Sequence, residues 1–181
     1  MATIQQVETL IALRQITPPS ADEVRFMKGR GAAGDVGAGI FEWDQNYPAE
    51  LDDGATIIKP DTTSSSSSGR WIRQVDVRGP VHAEWFGAKG DGTNDDGPAI
   101  QDCLTTFKRV TLLAKTYRIT APIELKSGYV VEGQGLDQST IKNQASAGAV
   151  TTYSAIKTSD TESANNAVVR GLTIDCGFDL T

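Results

Sequence analysis

Cysteine, histidine and basic residues are scarce in this sequence. Its 181 residues include two cysteines and one histidine, and the formal net charge is −6. Two cysteines cannot build the dense disulfide framework of a small secreted domain, so we expect Cys103 and Cys176 to be small buried side chains. The acidic balance supplies no basic stripe to neutralise phosphates, which argues against nucleic acid and anionic membranes as partners.

Long apolar runs and common ligand-binding motifs are also missing. No run approaches the roughly 20 apolar residues that span a bilayer, and the N-terminus MATIQQVETL lacks the basic and apolar regions of a signal peptide. We therefore expect no membrane partner. The segment around Lys89 lacks phosphate-loop spacing, and Asp91–Asp96 lacks the glutamate that closes a calcium loop. The single histidine, His82, has no G-x-S-x-G partner. The sequence predicts no cofactor and no metal site.

The most informative stretch is residues 85–104, WFGAKGDGTNDDGPAIQDCL. Trp85 and Phe86 are predicted apolar anchors. Gly87–Asn94 is predicted to be a turn-rich loop, because it contains three glycines and no apolar run. A short helix is then expected from Ala99 to about Phe107.

The predicted helix has a polar start and one apolar face. Asn94, Asp95 or Asp96 can cap its free N–H groups, and Pro98 is tolerated in its first turn. The apolar residues at helical spacing are Ile100, Cys103, Leu104 and Phe107. A single short amphipathic helix must pack this stripe against another element.

Short strand-like runs follow the helix, separated by glycine, serine, asparagine and aspartate. None is long enough to be a helix. They lie at residues 110–113, 116–120, 123–125, 129–133, 140–142, 155–157 and 167–175. This pattern favours a mainly β fold.

Two segments, FGAKGDGTNDDGPAIQDCL and VTLLAKTYRITAPIELKSGYVVEGQGLDQSTI, resemble the N-terminal part of pectate-lyase-like right-handed parallel β-helices. In that family an FGAKGDG-x-x-D-D-x-x-A-I segment precedes a capping helix, and strands and a glycine-rich turn follow. The resemblance covers about Ala83 to Thr181. The family includes bacteriophage tailspikes and secreted polysaccharide-degrading enzymes. Because a stack of strands leaves its first rung open, the helix is expected to cap it. The predicted cap residues are Trp85, Phe86, Asp95, Asp96, Ile100, Cys103, Leu104 and Phe107.

An N-terminal helix is predicted within residues 1–19, over residues 3–15. It begins with a Thr-x-x-Gln capping box, and two prolines end it. Ile4, Val7 and Ile11 share one face and also fit heptad a and d positions. Two interpretations stay open: a parallel trimer of such helices, or one helix docked on the next module.

Residues 20–79 are predicted to form a small β module, residues 80–87 a connector, and residues 88–181 the start of a β-helix. The expected module strands lie at residues 39–44, 55–59 and 70–75, after an alternating segment at 23–27. The glycine-rich stretch Gly29–Gly39 is expected to be a flexible loop that becomes ordered against a partner.

The order of these module segments resembles a small module found directly ahead of the β-helix in tailspike-like proteins. The resemblance implies attachment to a phage tail or baseplate, or to a neighbouring spike protein. It also implies a homotrimer assembled in the host cytoplasm and located in the virion. The candidate attachment residues are Ile4, Val7, Ile11, Phe26 and Gly34.

Carboxylates in the rungs are candidates for glycoside hydrolysis or uronate elimination, but their spacing does not say which stand close together. They are Glu124, Glu132, Asp137, Asp160, Glu162, Asp175 and Asp179. The family resemblance implies that the sugar groove lies on later rungs or between subunits. The catalytic residues are therefore unknown, and we expect this chain to be the non-catalytic front part of a longer protein.

The function that fits these patterns is the virion-attachment region of a tailspike whose full-length form binds and degrades host surface polysaccharide. Two alternatives remain. One is a polysaccharide lyase or glycoside hydrolase of bacterial or prophage origin, and the other is a non-enzymatic adhesin module.

Overall fold

The computed structural model describes residues 4–20, 22–76, 78–144, 154–158 and 164–176. The chain forms two compact units, Met1–Gly79 (unit 1) and Pro80–Thr181 (unit 2). Within the described residues, no helix is long and apolar enough to cross a membrane. Three candidate carboxylates, Asp160, Glu162 and Asp179, lie outside the described residues.

Unit 1 is a five-stranded sheet with one short helix. Its elements are β1 Gln5–Val7, α1 Leu10–Arg14, β2 Val24–Met27, β3 Gly39–Asp44, β4 Ile57–Ile58 and β5 Arg70–Arg73. The strand order is β1-β2-β3-β5-β4. Strand β1 runs parallel to β2, and the other neighbouring pairs are antiparallel. The three strands predicted for this module are confirmed, and the alternating segment ahead of them is β2.

The predicted N-terminal helix is present, but it is much shorter than residues 3–15. The segment begins with strand β1, which pairs with β2, and only α1 is helical. Thr9 is the N-cap of α1, and its hydroxyl accepts a hydrogen bond from Ala12 N at 3.3 Å. Pairing with a strand some 20 residues away in sequence outweighs the helical spacing of the local apolar residues.

The core of unit 1 lies on one face of the sheet, under α1. Its buried side chains are Leu13, Met27, Phe41, Trp43, Ile58 and Trp71. The rings of Trp43 and Trp71 pack edge to face, with centroids 5.3 Å apart. Such aromatic pairs bury a large apolar area and favour this geometry.

Arg70 on β5 is completely buried, although it carries a charge. Its guanidinium donates to backbone carbonyl oxygens in two loops. These are Leu51 O at 2.7 Å, Ser67 O at 3.0 Å, Gly69 O at 2.7 Å, and Ala49 O. The planar fork of five N–H donors suits several carbonyl acceptors at once. Arg70 therefore ties both loops to the sheet.

Unit 2 begins with a 3₁₀ turn, Ala83–Phe86, and continues with one helix and nine strands among the described residues. These are β6 Asp91–Asp95, α2 Gly97–Phe107, β7 Arg109–Thr111, β8 Thr116–Ile119, β9 Ile123–Leu125, β10 Val130–Glu132, β11 Thr140–Asn143, β12 Ile156–Thr158, β13 Val168–Arg170 and β14 Thr173–Asp175. The predicted helix thus begins at Gly97, slightly earlier than expected.

The strands of unit 2 form three parallel sheets, β7-β10-β13, β6-β8-β11-β14 and β9-β12. Strands β7, β8 and β9 make the first rung, β10, β11 and β12 the second, and β13 and β14 follow. Inward side chains stack from rung to rung, as Val110 does on Val131 and Tyr117 on Ile141. The predicted parallel β-helix is confirmed.

Two predictions about the beginning of unit 2 need correction. The second half of the supposed loop Gly87–Asn94 is part of strand β6, which pairs with β8. Residues 80–87, predicted to be a connector, belong to unit 2, because Val81 and Ala83 are fully buried in its core.

Candidate functional site

The five candidate attachment residues do not share one surface. Ile4 is 51% exposed and Ile11 is 66% exposed, whereas Val7 packs against the core of unit 1. Phe26 points to the opposite face of the sheet, since neighbouring residues of a strand alternate. Gly34 has a φ of +87° and open space around its Cα. The heptad seam proposed for Ile4, Val7 and Ile11 is therefore wrong, because Val7 lies in strand β1 and only Ile11 lies in helix α1.

The glycine-rich loop is held by one carboxylate. Asp35 accepts hydrogen bonds from the backbone N–H groups of Arg30, Gly31, Ala32 and Gly37, at distances between 2.7 and 3.0 Å. The expectation that this loop is flexible and waits for a partner is wrong. Its conformation is fixed within the chain by these four bonds.

Arg73 on β5 holds the other end of the same loop. Its guanidinium donates to Ala38 O at 2.8 Å and Gly37 O at 2.7 Å, and to Ala55 O at 3.0 Å. It also lies over the ring of Phe41, 4.6 Å from the centroid. Burial lowers the pKa of Arg73 to about 10, so the side chain stays charged at neutral pH.

We expect Asp35→Ala to release the loop while unit 1 stays folded. Four N–H groups would lose their acceptor, so amide exchange at Gly31 and Gly37 should accelerate by about tenfold or more. Hydrogen exchange measured by NMR tests this. Glu50→Ala, which changes an exposed carboxylate outside the loop, is the control. Equal protection in both variants would show that Asp35 does not order the loop.

The same loop should open in acid. Burial opposes ionisation of Asp35, but the four backbone hydrogen bonds outweigh it and hold its pKa below the ordinary value. A carboxylate with a lowered pKa stabilises the folded state above its ordinary pKa and loses that contribution once it is protonated. Protection of Gly31 and Gly37 should therefore fall below about pH 4. An NMR titration of these amides measures it.

Helix α2 covers the first rung of the β-helix. Ile100, Cys103 and Leu104 are completely buried against it, and Phe107 is half-buried. Phe86 packs edge to face on Phe107, with ring centroids 6.3 Å apart. Burial, with a smaller contribution from the nearby Glu84, raises the pKa of the Cys103 thiol, so this cysteine is a packing residue.

Trp85 and His82 pack beside α2. Their rings are 5.8 Å apart at an interplanar angle of 75°. Trp85 is part of the 3₁₀ turn, and His82 directly precedes that turn. The single histidine therefore has a packing position next to an aromatic ring.

Of the acidic residues predicted to cap α2, Asp95 accepts from the first N–H of the helix, whereas Asp96 does not cap it. Asp96 occupies the N-cap position but makes no capping bond, and its carboxylate accepts from Lys89 N at 2.6 Å and Gly90 N at 3.1 Å. Asp95 accepts from Gly97 N at 3.1 Å and from Thr120 N at 3.2 Å. Both carboxylates thus tie the segment ahead of α2 to its surroundings.

Each strand of the first rung has outer backbone groups that are hydrogen-bonded to the segments ahead of it. On β7, Thr111 N donates to Val81 O at 2.7 Å, and β8 pairs with β6. On β9, the side chain of Gln101 accepts from Glu124 N at 2.8 Å and donates to Glu124 O at 3.1 Å. Helix α2 therefore contributes hydrogen bonds as well as apolar packing.

A buried polar network lies inside this end of the β-helix. The hydroxyl of Tyr117 donates to Glu84 Oε1 at 2.7 Å and accepts from Leu113 N at 2.9 Å. Lys115 Nζ is 3.3 Å from the same carboxylate oxygen, while Glu84 Oε2 has no partner among the described residues. Burial and the Glu84 carboxylate raise the pKa of Tyr117, so its hydroxyl keeps its proton.

We expect Tyr117→Phe to destabilise unit 2 by about 1–3 kcal/mol, because Glu84 and Leu113 N would each lose a buried partner. Thermal or urea unfolding of the full chain measures this. Tyr129→Phe is the matched control, since Tyr129 lies in the same core and its hydroxyl makes no hydrogen bond in the described part of the chain. Equal losses in the two variants would contradict the role of the network.

The described rung carboxylates form no acid–base pair that the structure identifies. Glu132 makes an ion pair with Arg170 at 3.1 Å, and Asp137 Oδ1 accepts a hydrogen bond from Thr173 Oγ1 at 3.3 Å. Glu124 and Asp175 lie on β9 and β14. Within the described ranges, no cluster of histidine, cysteine, aspartate and glutamate is arranged to hold a metal ion.

Two family models match the chain. Residues 6–76 match the phage tail protein small four-stranded beta-sheet domain. Residues 81–176, more than half of the chain, match the rhamnogalacturonase A/epimerase, pectate lyase-like family. The antiparallel strands β2 to β5 fit a four-stranded description, and β1 adds a parallel fifth strand.

Solved structures match across both units. Full-length tailspike protein 2 from the Escherichia coli O157:H7 bacteriophage CAB120 is 25% identical, with a TM-score of 0.69 over 94% of this chain and 20% of its own. A tailspike from Acinetobacter baumannii bacteriophage Fri1, a capsular polysaccharide depolymerase, is 17% identical, with a TM-score of 0.61 over 94% of this chain and 32% of its own.

A bacterial protein has the same fold. A glycan biofilm modifying enzyme of Pantoea stewartii is 18% identical, with a TM-score of 0.68 over 96% of this chain and 25% of its own. The chain thus spans between 20% and 32% of the length of these three structures. The sheets, the capping helix and these matches agree: the chain belongs to the rhamnogalacturonase A/epimerase, pectate lyase-like family, and its first unit matches a phage tail domain.

Proposed function

We propose that this chain is the virion-attachment region of a phage tailspike whose full-length form binds and degrades host surface polysaccharide during adsorption. The observation that carries the proposal is the order of two domains in one chain. A phage tail β-sheet domain at residues 6–76 is followed directly by a pectate lyase-like β-helix from residue 81. The first domain matches a phage tail protein domain, and the β-helix is similar in fold to the depolymerase from bacteriophage Fri1.

The two units have separate tasks in this proposal. Residues 1–79 attach the spike to the tail, the baseplate or a neighbouring spike protein in the virion, and residues 88–181 begin the β-helix. Attachment works through surface complementarity, and the exposed Ile4 and Ile11 are available for direct contact. Val7 supports that surface from the core.

The cap has a structural role in the proposal. Its residues surround the first rung: Trp85, Phe86, Asp95, Asp96, Ile100, Cys103, Leu104 and Phe107. They close the N-terminal end of the β-helix, so the later rungs stack on a first rung that is held in place.

The polysaccharide site belongs to the full-length protein, and this chain is non-catalytic. Among the described rung carboxylates, Glu132 pairs with Arg170, Asp137 accepts from the Thr173 hydroxyl, and Glu124 lies on β9. The longer protein acts as a lyase or a hydrolase. It is a homotrimer in this proposal, since three copies bind a repetitive glycan with an avidity that one weak site lacks.

Virions assembled without their own spike test the attachment function. We expect the tagged 181-residue chain, expressed in the producing host, to co-purify with such virions. Its absence from them would overturn the proposal. Light scattering of the purified chain measures self-association, and a trimer would place the contacts for trimerisation within these residues.

One observation supports a second candidate function. The fold of the Pantoea stewartii enzyme fits a bacterial polysaccharide-modifying protein equally well. A reducing-sugar assay on bacterial surface polysaccharide separates the two. Turnover by the 181-residue chain would favour the enzyme, and we expect none. A non-enzymatic adhesin would bind the polysaccharide without cleaving it, and would stay off the virion.

A further inference from the structure

We infer that the outer face of the unit 1 sheet is a docking groove for a cationic segment of a different virion protein. The inference rests on the proposed attachment function and names its surface and the chemistry of its partner. Of the five attachment residues predicted from the sequence, Phe26 lies on this face beside Ile40, and none lines the cavity at its acidic rim.

The groove lies on the face of the sheet that the core leaves uncovered. Strand register places Val24, Glu42 and Ile72 side by side across β2, β3 and β5, and Phe26 next to Ile40. Val24 is 37% exposed and Ile40 is 42% exposed, while Phe26 and Ile72 are half-buried. These residues form an apolar floor on the side opposite Phe41 and Trp71.

The rim of this floor is acidic. A cavity of about 310 Å³ is lined by Asp22, Glu42 and Asp44, together with Trp43, Tyr47 and Ile72. Every charged residue in its lining is therefore a carboxylate. Glu42 accepts from the Gln74 side chain at 3.0 Å, and Asp44 accepts from Asn46 N at 2.9 Å, so their partners are neutral.

Three other carboxylates of unit 1 have cationic partners. Asp52 pairs with Arg14 at 2.7 Å, Glu8 pairs with Lys28 at 2.5 Å, and Glu23 pairs with Arg25. Within the described residues, no cation pairs with the three carboxylates of the groove. Their negative charge lies beside the uncovered apolar floor, where a cationic partner would gain both apolar contact and charge complementarity.

The aromatic residue Tyr47 in the lining of the groove suits a lysine or arginine of the partner. Aromatic faces attract cations, and aromatic rings pack against the aliphatic stems of these side chains.

A second copy of the chain fits this face poorly. A copy docked face to face would bring the same three carboxylates against those of its partner, and like charges in an interface are repulsive. Three cations of unit 1 are also engaged within the chain: Arg14 with Asp52, Lys28 with Glu8, and Arg73 with loop carbonyls. The occupant is therefore a lysine- or arginine-bearing segment of another protein.

Fluorescent peptides that tile the tail and baseplate proteins of the virion test this inference, with anisotropy on the full 181-residue chain as the measurement. We expect the bound peptides to be cationic and to bind more weakly as salt rises from about 50 to about 200 mM. Glu42→Lys should weaken binding by about tenfold or more. Glu50→Lys, the same change at an exposed position outside the groove, should alter it by less than about twofold.

The outcomes separate this inference from the attachment function. Virions that incorporate wild-type and Glu42→Lys chains equally would overturn the groove and leave attachment intact. Virions that incorporate neither would overturn attachment itself. Binding of acidic or neutral peptides, or equal binding by both variants, would also overturn the groove. Self-association that Glu42→Lys abolishes would make a second copy the occupant and overturn the heterologous partner.

Discussion

Leu104→Asp should unfold the beginning of the β-helix and lower the stability of unit 2 by at least about 3 kcal/mol. The side chain of Leu104, on α2, is completely buried against the first rung. The substitution removes its apolar contacts and places a carboxylate where no cation can pair with it. Calorimetry of the full chain should show unit 2 melting at a much lower temperature, or already unfolded, while unit 1 keeps its own transition.

Thr105→Asp is the matched control for this experiment. It puts the same carboxylate on the next residue of α2, on the exposed side. We expect a change within about 0.5 kcal/mol. If Leu104→Asp melted like Thr105→Asp, α2 would not be a cap that the first rung needs.

Arg70→Met should be the most damaging substitution in unit 1, with a loss of about 3–5 kcal/mol. Methionine fills much of the volume but donates no hydrogen bond. Four backbone carbonyl oxygens in the two loops would lose their donor, and most of them could not reach water without moving the loops. Unfolding in urea, followed by tryptophan fluorescence, suits this unit because Trp43 and Trp71 form its core.

Arg70→Lys separates charge from geometry. Lysine keeps the charge and three donors but cannot match the planar fork. We therefore expect Arg70→Lys to lower the free energy of unfolding by less than Arg70→Met does. Lys59→Met, which removes a partly exposed cation from the same unit, should have little effect. Equal stability of the lysine and arginine proteins would mean that the fork geometry is unimportant.

The strands and the helix of unit 2 could be predicted from the sequence because their signals are local. Each rung strand is a short apolar run ended by turn residues, and Ile100, Cys103 and Leu104 repeat at helical spacing. Strand β6 gave no such signal. Its sequence Asp91–Asp95 is polar and has a glycine, and it is a strand only because β8 lies beside it.

The errors in unit 1 come from contacts between distant residues. Val7 and Ile11 fit a helical spacing, yet β1 forms because β2 is available as a neighbour. The glycine-rich loop looked flexible in composition, but Arg73 on the last strand binds its carbonyls. The acidic groove could not be predicted either, since only strand register brings Asp22 and Glu42 together.

The hydrogen bonds made by the outer backbone groups of the first rung affect how separate molecules associate. A stack of strands with free N–H and C=O groups at its end is a template on which another chain can add, and the product is a growing fibre. Here Val81, strand β6 and Gln101 occupy those groups on β7, β8 and β9. These contacts oppose the addition of another chain at this end of the β-helix.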